Sequence, residues 1–218
     1  MTNVNTFRLY CNFLANKSLA GFTQTKAEFE TTAMAAQLVP FSRDLQTFIT
    51  TKVVSNYLQS FLTVDAVYSL DPINNIIIYP SDFEALSSAG TYYNKTQNDA
   101  DQVDNADWYE MQRPNSLNYP TLRYPKYQQT TTGIQFLPKD AGTVYLNYFH
   151  TPVQPIWNYS TINNEQVFNP TGSVDFEWGL FALNEVSSIF LQMVGINLRE
   201  DELAGFAKQF TAETQIAL

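Results

Sequence analysis

The sequence predicts an α+β fold, and three features carry that prediction. Residues 1–62 space their apolar side chains as helices do. Residues 63–151 alternate them as strands do, and a helical seam returns after residue 173. Between the last two regions lies a proline-broken aromatic stretch with neither period. The expected architecture is an N-terminal helical segment, a small antiparallel β-meander, two C-terminal helices and long extended arms. It divides into helices at 1–62, a β-containing region at 63–151 with an acidic loop at 94–107, an extended aromatic arm at 152–172, and helices at 173–218. The first and last of these are expected to share one core.

Phe7, Tyr10, Cys11 and Leu14 fall at i, i+3, i+4 and i+7 and mark the first helix, which ends near Lys17 with Gly21 allowing the reversal. Thr25 stands three residues before Glu28, the spacing of a capping box, so a second helix starts there and runs towards Val39. Pro40 is expected to interrupt it, because proline removes a helical hydrogen bond and clashes with the preceding turn. Phe41, Leu45, Phe48 and Ile49 then restart a third helical face. Residues 64–70 suit a strand and residues 75–79 a better one. Pro80-Ser81-Asp82 is expected to end it and to cap a short helix reaching Leu86. Residues 94–105 are polar and acidic, which predicts a loop or a segment ordered on assembly. Pro114, Pro120 and Pro125 keep the following stretch extended. Residues 124–130, 133–137 and 143–149 read as an antiparallel meander, with turns at Thr132-Gly133 and Lys139-Asp140-Ala141-Gly142. Ser173 opens the long closing helix, whose seam is Phe176, Leu180, Leu183, Ser187, Phe190 and Val194. Gly195 suits its left-handed end. Asn197, three residues before Glu200, caps a last helix striped by Leu203, Phe206, Ala207 and Phe210.

A chain of 218 residues is long enough for a substantial core. Only 15% of it is charged, below the roughly 25% usual in soluble proteins, while aromatic residues reach 15%, chiefly 13 Tyr and 16 Phe. Few charges and many tyrosines fit either a surface used for contacts or a β-rich domain with many cross-strand aromatic pairs. A net charge of −9 and a pI near 4.5 argue against ordinary nucleic-acid binding, which needs a basic face. The 12 Lys and Arg form no block. Cys11 is the single cysteine, so no intrachain disulfide is expected. No basic region followed by an apolar run opens the chain, and no apolar stretch approaches the ~18 residues of a membrane span. A protein made in the cytoplasm, without a membrane partner, is the expectation.

Little in the sequence resembles catalytic equipment. One histidine, His150, ends an expected strand with no Cys or His nearby. There is no glycine-rich phosphate loop, nucleophile elbow or metal-ligand helix. Asp99, Asp101, Asp107 and Glu110 occupy positions 1, 3, 9 and 12 of a calcium loop. Val103 stands where an oxygen ligand belongs, however, and Asp104 where the turn glycine belongs, so a solvated acidic loop is the better reading. Asp175 and Glu177 are expected in the first turn of a helix, meeting its dipole. No catalytic residue, metal or cofactor is therefore assigned. The sharper candidates are contact residues: Pro155, Trp157, Tyr159 and Phe168 in the arm, together with Trp108. They suit either a loop wrapped over its own chain or an arm docking on a neighbouring subunit. The first suits Trp157 better, the second the segment as a whole.

Several phrases resemble structural proteins of crAss-like and related Bacteroidetes phages. They are Ala15-Asn16-Lys17, Gly21 and Thr25-Lys26-Ala27-Glu28-Phe29 early. Pro120-Thr121, Tyr124-Pro125, Ile134-Gln135-Phe136-Leu137-Pro138 and Val144-Tyr145-Leu146-Asn147-Tyr148 follow in the middle. Pro155-Ile156-Trp157-Asn158-Tyr159, Ser173-Val174-Asp175-Phe176-Glu177 and Gly195-Ile196-Asn197-Leu198-Arg199 complete them. The resemblance covers nearly the whole chain, is weakest between Val64 and Trp108, and rests on the order of the phrases. It implies a virion protein of the head-to-tail connector, an adaptor or ring protein below the portal. Such a protein has no enzymatic activity. Its partners would be copies of itself in a twelvefold ring, the portal and neighbouring tail or ring proteins. DNA would pass nearby without specific binding. From another class, a carbohydrate- or receptor-binding module would also use Trp and Tyr, as platforms for sugar rings. A hydrolase built on two carboxylates is the third reading.

Overall fold

The computed structural model describes residues 2–17, 24–71, 73–93, 96–113, 119–139, 141–163 and 165–194, and its architecture is α+β. The chain divides into two compact units. One comprises the chain up to Ser60 and again from Pro152, and the other is Phe61–Thr151.

In the helical unit, α1 (Val4–Lys17) buries Val4, Phe7, Cys11 and Ala15, at steps of three and four. Burial pushes the Cys11 thiol up to about 12, which leaves it protonated and inert. Next, α2 (Lys26–Thr51) opens on a capping box. The Glu28 amide donates to Thr25 Oγ1, and the Thr25 amide donates to Glu28 Oε2 at 2.9 Å. The bonds from the Thr25 backbone and hydroxyl hold the Glu28 carboxyl below its usual range.

Contrary to the expected break, α2 runs through Pro40, so the described residues among the first 62 hold two α-helices and then one 3-10 turn, Leu58–Phe61. Phe29, Ala33, Ala36, Gln37, Pro40, Phe41, Leu45 and Phe48 are all buried, so the apolar ridge crosses the proline without losing phase. A buried Phe or Leu contributes about 1.5–3 kcal/mol, and four of them outweigh the ~3 kcal/mol that an interior proline costs. The third helix, α4 (Leu180–Met193), buries Ala182, Leu183, Val186, Ser187, Phe190 and Leu191. Phe7, Phe29, Phe176 and Phe190 meet at the centre, with ring centroids 4.5–6.3 Å apart.

The closing helix starts seven residues later than Ser173. Residues 173–179 are extended because the chain on both sides pairs with them. Thr2 and Phe176 exchange two backbone hydrogen bonds of 3.0 Å, and Ile156 and Val174 exchange another pair. Asp175 and Glu177 are thus not in a helix. Asp175 Oδ1 instead accepts from the Val4 amide at 2.8 Å, capping α1, and Glu177 Oε2 accepts from the Val153 amide at 2.9 Å. Gly195 and the last helix expected from Asn197 lie outside the described residues, as do Gly21, Asn94, Pro114 and Asp140.

The second unit is built on two four-stranded sheets. The first has order β1-β8-β3-β4, from Leu62–Ser69, Thr143–His150, Phe83–Tyr93 and Thr96–Asp99, all antiparallel. The second has order β2-β7-β6-β5, from Ile76–Ile78, Gly133–Leu137, Lys126–Gln129 and Asp101–Gln102, with β5 and β6 parallel. Leu86, Ala89, Val144, Leu146 and Tyr148 of the first sheet share a core with Ile77, Tyr127, Ile134 and Phe136 of the second. Of the expected meander, β6 and β7 form the hairpin, while β8 crosses to the centre of the other sheet.

Two expectations fail in this unit. Residues 80–86 form no helix. Pro80 and Phe83 close a turn and β3 begins there, between β8 and β4, where ladders on both sides override the helix preference of Glu84, Ala85 and Leu86. The acidic stretch is not a loop either. It supplies β4 and β5, and Asp104 then caps α3 (Asn105–Met111) by accepting from the Asp107 amide at 3.0 Å.

Candidate interaction surface

The arm folds back on the helical unit. Trp157 is 2% exposed. Its Nε1 donates to Asn5 Oδ1 at 3.0 Å, and its backbone amide donates to Glu30 Oε1 at 3.1 Å. The Arg8 guanidinium lies 3.7 Å from the ring centroid, and burial lowers its pKa from the usual arginine value. Tyr159 stacks on the Trp157 ring at 4.9 Å. Pro155 is buried as well. Trp108, 3% exposed on α3, is covered by Val103, Leu137 and Met111. Three of the five candidate contact residues are therefore enclosed by this chain's own side chains. Tyr159 and Phe168 remain half-buried.

What the arm does present is a ribbon. Among the described residues β9 (Tyr159–Ile162) and β10 (Glu165–Phe168) pair only with each other, Ile162 opposite Glu165 and Tyr159 opposite Phe168. Asn163 takes the left-handed conformation, φ 52°, at the reversal. One face carries Tyr159 and Phe168. The other carries Ser160, Ile162, Glu165 and Val167, with Ile162 54% and Val167 44% exposed. The base is fastened by Asn158, whose carbonyl accepts from the Asn169 amide and whose Nδ2 donates to the Thr171 carbonyl at 2.7 Å. Sequence reasoning found no period here. The signal it passed over is Asn163-Asn164 between two short β-prone runs, a hairpin turn.

A polar network crosses the sheet β1-β8-β3-β4. The Tyr145 hydroxyl donates to Asp99 at 2.5 Å, and Gln97 Nε2 donates to Asp65 at 2.9 Å and to the Tyr92 hydroxyl at 3.2 Å. Asn147 accepts from the Asp65 amide and donates to Ser88. Burial, and then the bond to Asp99, raise Tyr145 well above the ordinary phenol value, so it stays a donor. Asp65 and Asp99 are both exposed, and each accepts a hydrogen bond from its neighbours.

The calcium-like carboxylates are dispersed. Asp99 faces Tyr145, Asp101 pairs with Lys126 at 2.5 Å, and Asp107 sits in the first turn of α3. Among the described residues no three His, Cys, Asp or Glu side chains come together as metal ligands. His150 Nδ1 lies 3.3 Å from Thr63 Oγ1, between neighbouring strands. No described helix is long and apolar enough to cross a membrane. Among known proteins, no family model matches this chain, and no curated protein matches it significantly.

Proposed function

We propose that this chain is a structural protein of a tailed-phage head-to-tail connector, assembling as a ring of about twelve copies below the portal and acting without catalysis. The observation that carries the reading is the β9–β10 ribbon, read together with the ordered phrases that resemble phage connector proteins. A two-stranded ribbon is at best marginally stable alone in water and gains from a third layer or strand. This one leaves Ile162 and Val167 exposed on one face, while Trp157 just before it bonds to Asn5 of α1 and Glu30 of α2. Rings of identical subunits close through heterologous contacts, in which a projecting element of one copy meets a different surface of the next. The portal and adjoining tail proteins would bind above and below the ring. The net charge of −9 would let packaged DNA pass without adhering.

Native mass spectrometry of the full chain, alone and mixed with the portal protein of the same virion, tests this. A species of about a dozen copies in either sample is expected. A monomer in both, with no portal complex, would overturn the reading. The ribbon's part in it is separable. Ile162→Lys with Val167→Thr changes two exposed positions and sets a cation opposite Glu165, so the cost stays within about 0.5 kcal/mol. The double variant should therefore keep its thermal transition and lose the ring. Normal assembly of that variant would exclude the ribbon as the joint.

A further inference from the structure

The second unit carries an open cleft of about 640 Å3, lined by Tyr93, Tyr119, Pro120, Thr121, Arg123 and Pro138. Its walls are held by backbone. The Tyr124 amide donates to the Thr121 carbonyl at 3.0 Å, closing a tight turn, and the buried Thr91 hydroxyl donates to the Leu122 carbonyl at 3.0 Å, tying that turn to β3. Two phenol rings face this space while remaining 40% and 42% exposed, Tyr93 and Tyr119. At the rim the Arg123 guanidinium lies 5.6 Å from the ring of Tyr124, itself 65% exposed. Among the described residues the lining holds one cation and no carboxylate, in a chain whose net charge is −9.

We infer that this cleft binds a pyranose sugar bearing a single carboxylate, of the uronic-acid type. The inference goes beyond the connector reading and stands or falls without it. An exposed tyrosine offers a flat apolar face with a polar tip, and a pyranose offers a flat C–H face with a hydroxyl rim. The two phenol hydroxyls and Thr121 can exchange hydrogen bonds with that rim. A guanidinium fork matches a carboxylate in two parallel hydrogen bonds, which a neutral sugar cannot supply. A nucleic-acid base would also stack on tyrosine, but its phosphate chain meets an acidic protein with no basic track. A proline-rich peptide suits Tyr- and Pro-lined grooves, yet gives Arg123 no anion to engage.

The probe pair is cellobiouronic acid and cellobiose, which differ by one carboxylate, titrated into the full 15N-labelled chain. Expected are saturable amide shifts centred on Tyr93, Tyr119 and Arg123, half-complete near about 1 mM of the acid, with cellobiose at least about tenfold weaker, as loss of a charge-assisted contact implies. Tyr119→Ala should abolish binding of both sugars. Arg123→Gln should retain binding but bring the two within about threefold, because the charge that engages the carboxylate is gone. Tyr119 and Arg123 are exposed, so both variants should fold. No shifts up to about 10 mM acid, equal affinity for both sugars, shifts centred elsewhere, or binding of deca-proline at this cleft in place of the sugar would each overturn the proposal.

Discussion

Trp157→Ala is expected to destabilise the protein by about 3–5 kcal/mol, the range for emptying a buried aromatic site. The ring is enclosed, and its removal strips Arg8 of a face to lie on, Tyr159 of its stacking partner and Asn5 Oδ1 of its donor. At about 2–4 °C per kcal/mol for a chain of this size, the thermal midpoint should fall by roughly 6–20 °C. Urea denaturation followed by circular dichroism checks the magnitude. Trp157→Phe separates the two components, since it retains most of the packing but leaves the Asn5 oxygen without its bond, at about 1–3 kcal/mol. A Trp157→Ala protein of unchanged stability would mean that the ring is not interior and that its place is at a subunit contact after all.

The second large effect is expected at Gly90. A Cβ there would overlap the Asn98 carbonyl of β4 and the phenol of Tyr145, and neither can move away cheaply. The carbonyl is backbone, and Tyr145 is 2% exposed with its hydroxyl held by Asp99. Gly90→Val should cost about 1–3 kcal/mol from overpacking alone, and more as β4 is pushed off the sheet. Hydrogen exchange locates the damage. Protection should fall across Thr96–Asp99, while the pairing of β8 with β1, on its far side from β3, survives. Unaltered protection of β4 would show that the strand does not lie against Gly90.

Features set by neighbours in the chain were legible in advance. The Phe7 and Cys11 face of α1 and the Thr25–Glu28 capping box needed only local spacing. What escaped was decided by distant partners. Pro40 reads as a break, but buried side chains on both sides keep its helix in phase. Glu84-Ala85-Leu86 reads as helix, but strands on either side claim its backbone. Ser173 looks like a cap, yet residues 173–179 pair with Thr2 and Ile156, the former more than 170 positions away. The contact residues show the same division. Trp157 is aromatic, polar-flanked and proline-framed, which fits an exposed platform as well as an interior ring, and only Asn5, Arg8 and Glu30 decide the matter. The tyrosine-lined cleft had no local signature at all, since Tyr93, Tyr119 and Pro138 come from three separated stretches.

The β-containing unit interrupts the helical one, and its first and last strands are partners, Leu62 lying opposite Phe149. Where the polypeptide leaves the helices it therefore returns alongside itself. For a ribosome this sets an order of events. α1 and α2 emerge early but their aromatic centre stays incomplete until Phe176 and Phe190 have been made. At 5–20 residues per second, the stretch from Ser60 to Phe190 takes about 7–26 s to synthesise. Through that interval the nascent helices keep Phe7 and Phe29 without their final cover, whereas β1 through β8 already form a contiguous folding unit. The vulnerable moment in this protein's biogenesis falls between those two events, and shielding of α1 and α2 by a chaperone would matter most there.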